Sequence, residues 1–280
     1  LGCLFYFQIS LVMPWDDYLC FMKQFFRCVV VLAFVFNTAH SQIRLSKLTL
    51  LPKQEYKILG SDVISIDTLI LGDSSRIVLN PQAKTNIINV AVALIGKGCA
   101  IYGKGEKAEL GKRGRNGANQ RAPCSDGSEG SEGGAGFNGK DGLNLSFYVG
   151  VIKIAGSLQV DLSGADGGNG GVGGTGGDGG SGTTVCKGGN GGAGANGRNG
   201  GNAGSGGSLN ISCKKCQDTR SLQDQLIVKN YGGFGGLGGD GGRGGQAGLG
   251  RLKDGKNGKK GMPGIQGAPG KQGFVTLEQK

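Results

Sequence analysis

The sequence predicts an all-β fold with a large non-regular, glycine-rich part. The expected architecture is a β-solenoid-like strand base carrying six extended helices of polyproline II type in hairpins, with no α-helix in the mature chain. Three observations carry this. Glycine supplies 61 of 280 residues, five before residue 103 and 56 between Gly103 and Gly273, so the chain is a mosaic of ordinary and glycine-dominated segments. In the second part glycine recurs every third residue, a period that fits neither an α-helix nor a strand but does fit the left-handed polyproline II helix. Between the glycine tracts stand short alternating runs of Val, Ile and Leu, which read as strands.

Residues 22–41, MKQFFRCVVVLAFVFNTAHS, have the three parts of a secretory signal peptide: Lys23 and Arg27, an apolar stretch Cys28–Phe36, and small residues at Ala39 and Ser41. Cleavage is expected before Gln42, with residues 1–21 as an upstream translated segment and no membrane span in the mature chain; the competing reading is a retained N-terminal anchor. Removal takes two basic residues (Lys23, Arg27) and two acidic ones (Asp16, Asp17) from totals of 31 and 20, so the formal net charge stays at +11. It also takes His40, the one histidine. Catalysis by Ser-His-Asp or Cys-His and histidine-ligated metals are thereby excluded by inventory. An exported basic protein meets anionic glycans and cell envelopes.

The β base is expected over residues 42–102. DVISIDTLILGDSSRIVLNP and TNIINVAVALIGKGCAIYG alternate in strand fashion and are broken by Gly72-Asp73, Asn80-Pro81 and Gly96-Lys97-Gly98. Further strands are expected at 144–163, 208–230 and, terminally, 274–280. Short rungs with glycine corners favour a parallel solenoid; an antiparallel sandwich is the other arrangement open to these residues.

The glycine part, 103–273, divides into hairpins 103–142, 164–207 and 232–273. Runs 105–117, 127–142 and 255–273 read Gly-x-y, whereas 164–182, 188–207 and 232–250 read Gly-Gly-Xaa with few lapses, among them Ala203 and Ala247. A polyproline II helix has no internal hydrogen bonds, so its backbone must pair with water or with neighbours that glycine lets close. The number of glycines per triplet then counts packed faces: the doubled runs belong inside a bundle and the single ones at its edges. Runs 164–182, 232–250 and 255–273 agree in length at 19 residues, roughly 59 Å each, which loose linkers would have no reason to do. Collagen is the competing structure, but only the last run resembles it, with Pro263 and Pro269 in the y position. A disordered glycine-rich linker is the other.

On GGNGGVGGTGGDGG and GGFGGLGGDGGRGG, residues 103–273 resemble the polyglycine II bundle proteins, a group that includes springtail glycine-rich antifreeze proteins and certain phage tail-fibre tip adhesins, and more loosely the glycine-rich surface proteins of mycobacteria. The resemblance implies an architecture, not a shared activity.

Five cysteines follow residue 41. Disulfides are their expected use in an exported chain: Cys124 with Cys186, which lie in hairpin tips at one distal end, and Cys213 with Cys216 in a local ring. A redox Cys-x-x-C beside Lys214 and Lys215 is the functional alternative for the second pair, zinc lacks a second Cys-x-x-C, and Cys99 reads as a buried small hydrophobe. Asp166, Asp178 and Asp240 invite comparison with calcium β-rolls, yet glycine follows each where an apolar residue is needed, so they read as solvated Xaa positions. Asp161 and Asp166 are the nearest approach to paired carboxylates. No catalytic residue, metal ligand or cofactor site is assigned, and no specific nucleic-acid partner.

Loops held on a rigid scaffold carry recognition. Gln120, Arg121, Lys187, Arg251 and Lys253 lie in the three tips and form a basic cluster if the tips converge. The expected function is a non-enzymatic secreted or cell-surface structural and adhesion protein that contacts envelope glycan through these tips. Ice binding and a β-solenoid carbohydrate-active enzyme are the alternatives.

Overall fold

The computed structural model describes residues 42–216 and 219–279; the candidate leader, the upstream segment and His40 lie outside them. The strands are β1 (Gln42–Leu50), β2 (Glu55–Lys57), β3 (Val63–Leu71), β4 (Arg76–Val78), β5 (Thr85–Ile95), β6 (Cys99–Tyr102), β7 (Asn144–Ile154), β8 (Leu158–Asp161), β9 (Leu209–Cys216), β10 (Leu226–Lys229) and β11 (Val275–Gln279). Odd-numbered strands form one sheet in the order β1-β3-β5-β7-β9-β11, and even-numbered strands form a second, β10-β8-β6-β4-β2. Every pairing is parallel. Parallel neighbours need a crossover, and here the crossover of each sheet is a strand of the other. The antiparallel sandwich is therefore ruled out.

Like residues stack on like because the register repeats. Ile43, Ile64, Ile88, Phe147, Ile211 and Leu277 form one inward row, and the middle four are at most 2% exposed. Each buried side chain of this size contributes about 1.5–3 kcal/mol. In the odd sheet the in-out alternation slips by one at Asp67-Thr68, Ala91-Val92, Gly150-Val151 and Lys214-Lys215; the first three pairs lie between buried residues, and the last between buried Cys213 and half-buried Cys216. Strand pairing is interrupted along that line. A Cβ on Gly150 would lie 2.5 Å from the Ala91 carbonyl oxygen, so the break admits only glycine there.

Corners between strands are satisfied locally. Asn86 Oδ1 accepts from the Asn80 N–H at 2.8 Å, and Asn80 Nδ2 donates to the Ser61 carbonyl at 3.0 Å, both side chains being buried. Lys53, Ser74 and Gly98 take positive φ at matching points, three residues past the ends of β1, β3 and β5. The described residues contain one helix, α1 (Thr219–Gln225), of seven residues. It corrects the expectation of none: Leu222 joins the core and Gln225 Nε2 caps the Ile154 carbonyl at 3.1 Å, so this connection from β9 to β10 is anchored by packing that no helical period announces.

The glycine runs, numbered 1 to 6 in chain order, all enter at one corner, between β6 and β7, β8 and β9, and β10 and β11. Odd runs continue the even sheet outward, with Gly103 and Gly105 donating to the Asp161 and Ser163 carbonyls at 2.8 and 2.9 Å. Even runs return into the odd sheet. The result is two layers, runs 1, 3 and 5 beside runs 2, 4 and 6. Within a layer, Gly167, Gly170 and Gly173 of run 3 donate to Phe234, Leu237 and Asp240 of run 5; between layers, Gly168, Gly171 and Gly174 donate to Phe137, Gly134 and Ser131 of run 2. Strands and glycine backbones can share one spacing because backbone N–H···O bonds set it in both.

The placement of glycines follows from chain order. A Cβ at the first position of a triplet points at the next run, as at Gly164 against Gly204 at 2.1 Å; at the second position it points two runs back, as at Gly174 against the Arg115 carbonyl oxygen at 1.8 Å. Runs 3, 4 and 5 have both neighbours and double their glycines. Runs 1 and 2 have no run two back, and run 6 has no next run among the described residues, so one glycine suffices. Side chains at the third position face outward and close a different gap: Asn138 Oδ1 accepts from the Asn202 N–H at 2.8 Å, and Asn202 Oδ1 from the Ala268 N–H at 2.9 Å. Asp166 and Asp178 do the same for Phe234 and Gln246 at 2.7 Å. These aspartates therefore satisfy backbone donors that glycine packing leaves unpaired.

Candidate functional site

Tip 1, Ala118–Asp126, turns at Cys124, whose φ of 63° is the left-handed conformation a β-carbon disfavours. Two contacts over-determine it. Cys124 N–H donates to the Ser181 carbonyl at 2.9 Å, and Cys124 is disulfide-bonded to Cys186 of tip 2, Cα atoms 6.1 Å apart. In tip 2, Thr183–Lys187, Thr183 Oγ1 accepts from the Val185 and Cys186 N–H groups at 3.2 and 3.3 Å. Tip 3, Arg251–Asp254, closes when Asp254 Oδ1 accepts from the Gly250 N–H at 2.9 Å, and it joins tip 2 because Gly188 N–H donates to the Lys253 carbonyl at 2.9 Å.

The five tip residues singled out in the sequence are placed as follows. Gln120 is half-buried, its N–H donating to the Asp178 carbonyl at 2.9 Å and its Nε2 to Ser128 Oγ at 3.5 Å. It is tied into the lattice. Arg121, Lys187, Arg251 and Lys253 are exposed. Their segments converge on one end of the bundle, with two carboxylates, Asp126 and Asp254, committed to holding backbone N–H groups.

The Asp126 carboxyl is held below its ordinary value of 3.8, first by the Asn190 backbone N–H, 2.6 Å from Oδ1, then by the Asn190 side chain, with Lys187 adding attraction. Because the folded value is the lower one, the stabilisation is complete above the unfolded value and is lost as pH falls through the depressed folded value. We expect exchange of the Asn190 amide hydrogen to become abnormally fast only below about pH 4, and Asp126→Asn to remove that acid limb; a parent amide whose protection ignores pH in this range would contradict it.

Cys213 and Cys216 are bonded within β9, Cα atoms 5.9 Å apart, with Cys213 buried. Cys99 is fully buried, its thiol 3.2 Å from the Gly72 carbonyl.

Two further places were not legible in the sequence. A shallow groove of about 620 Å³ crosses the outer face of the odd sheet, where Arg44, Asp67, Asn89, Tyr148 and Lys214 surround a floor of Ala91 and Gly150. Only the register brings these five strands' outward residues into line. A smaller hollow, about 370 Å³, lies beside Arg198 and Glu132, paired at 3.4 Å. There Ala195 and Arg198 occupy second positions of run 4 where glycine is the rule, and the nearby Gly133–Asn196 bond lengthens to 3.3 Å.

No protein-family model matches the chain, and no curated protein matches it. Among solved structures the chain is similar to a springtail antifreeze protein from Granisotoma rainieri, described as a bundle of nine polyproline type II helices: 24% identity, 54% of this chain and 94% of that one covered, TM-score 0.11. A TM-score that low does not establish a shared fold.

Proposed function

We propose that this is an exported, non-enzymatic surface or matrix protein. In this reading a two-sheet parallel β-solenoid anchors six polyglycine II helices, and the bundle holds three cationic tips against anionic envelope glycan. The observation that carries the reading is the tying of the tips. Cys124–Cys186 joins the first to the second and the Gly188–Lys253 bond joins the second to the third, so cations 130 residues apart in sequence, Arg121 and Arg251, belong to one surface. Rigid presentation of dispersed charge lowers the ordering cost of binding a polyanion.

The outward positions of run 3 read Asp166, Asn169, Val172, Thr175, Asp178 and Ser181, and those of run 5 mix large exposed Phe234, Leu237 and Leu249 with Asp240 and Arg243, not the flat, repeated small apolar surface that ice requires. Adhesion is accordingly preferred over ice binding.

The test compares binding of the parent and the variant Arg121→Ser/Lys187→Ser/Arg251→Ser/Lys253→Ser to intact cells and to an array of acidic glycans. The parent should bind, lose affinity as salt rises because surface charges are screened, and lose binding in the variant. Equal binding by both proteins would remove the tips from the function.

A further inference from the structure

The bundle and the strand base end differently. At the last edge of the bundle, run 6 carries Pro263 and Pro269, which have no N–H to offer another run, and Gln266 Nε2 folds back on the Gly235 carbonyl at 3.4 Å. At the first edge, Glu106, Glu109, Lys112 and Arg115 stand at second positions, where the doubled runs have mostly glycine and where a further run would have to pack. Both edges are closed to growth. Among the described residues the odd sheet has no such stop: β1 pairs with β3 alone and β11 with β9 alone, neither contains a proline that would blunt an edge, and β1 has the same break in pairing at Ser46 that β3 has at Asp67, with the residues on either side still paired.

The two open edges are complementary. The inward row that begins at Ile43 ends at Leu277, and both are half-buried residues packed on the core. The outward row next to it runs Arg44, Ser65, Asn89, Tyr148, Ser212, Glu278. It therefore has a cation at one end and a carboxylate at the other, both exposed and neither in an ion pair among the described residues. Because all strands run parallel, a second copy set along the coil axis would lay its β1 beside β11 in register. Leu277 would then meet Ile43, and Glu278 would meet Arg44. The even sheet stops one strand earlier, so the odd sheet supplies the contact.

We infer that β11 of one molecule pairs with β1 of a second copy, head to tail, through the Leu277–Ile43 and Glu278–Arg44 rows. Such a contact is heterologous and does not close on itself, so it propagates into filaments. The tips of successive molecules would then project along the filament, which multiplies weak tip contacts by valency.

The protein made from the whole chain is examined by sedimentation velocity over a wide concentration range. A concentration-dependent series of elongated species is expected. Glu278→Arg or Arg44→Glu alone should weaken association by about tenfold at low salt, and the two together should restore it. Gln42→Cys/Thr276→Cys, on the adjoining row, should give an oxidant-dependent ladder of linked chains; this reports the contact even where a charge variant folds poorly. A single sedimenting species at every concentration, single reversals without effect, or no ladder would each overturn the inference. None of these outcomes bears on glycan binding by the tips, which a monomer could perform.

Discussion

Replacing Gly174 by valine is expected to cost about 3 kcal/mol or more and to detach run 1 from the bundle. Gly174 lies in run 3, and a Cβ there would stand 1.8 Å from the Arg115 carbonyl oxygen and 2.5 Å from its carbonyl carbon. Both are backbone atoms of a run fixed at each end, so no side-chain rotation relieves the overlap. Run 1 must move by more than an ångström, breaking the bonds from Gly114 to Val172 and from Gly117 to Thr175, 2.8 and 2.7 Å, each worth about 1 kcal/mol. Thr175→Ala next door is the control. Thr175 faces outward and keeps its backbone bonds, so its stability should stay within about 0.5 kcal/mol of the parent. Denaturant unfolding with amide exchange at Gly114 and Gly117 reads both variants. Equal stability of the two would refute the account of why glycine doubles in runs 3 to 5.

Removing the distal clamp with Cys124→Ser/Cys186→Ser should lower stability by about 4 kcal/mol on the chain-entropy account, because the bond closes a separation of 62 residues. The matching variant of Cys213 and Cys216, separated by 3, should lose only about 2 kcal/mol. The location of damage should differ as well. Without the distal bond, tip 1 is held only to the end of run 3, by backbone bonds such as Cys124 to Ser181 and Gly180 to Ser125, and trypsin should cut first at Arg121 and Lys187. Resistance of those two sites in the variant, with an unchanged unfolding midpoint, would show that the glycine lattice alone holds the end together.

How much of this was readable in the sequence depended on how local the cause was. Turns at Gly72-Asp73 and Gly96-Lys97-Gly98, strands rich in Val and Ile, and the period of three all act within a few residues, and each is visible as a pattern. The break in pairing at Gly150 was not: glycine is required there by the Ala91 carbonyl of the next strand, and a lone glycine in an apolar run gives no sign of what approaches it. Helix α1 was missed for a similar reason, since its seven residues are held by Leu222 in the core and Gln225 on Ile154. The candidate site divides in the same way. Its cations and cysteines could be found by their place in hairpin tips, but the capping work of Asp126, Asp166 and Asp178 depends on donors 64 to 68 residues away.

The sequence by itself determined the all-β class and the period of three in the glycine part, because periodicity and residue type act through the local backbone. It also showed which runs double their glycines and that the doubling counts packed faces, although not which neighbouring runs cover those faces. Only the tertiary structure decided that the two sheets are parallel, that the runs lie in two layers, and that tips far apart in sequence meet at one end. Those features depend on register between segments separated by 21 to 68 residues. Register is fixed where stacked apolar rows and interrun hydrogen bonds are satisfied together, and that condition holds only in the folded chain.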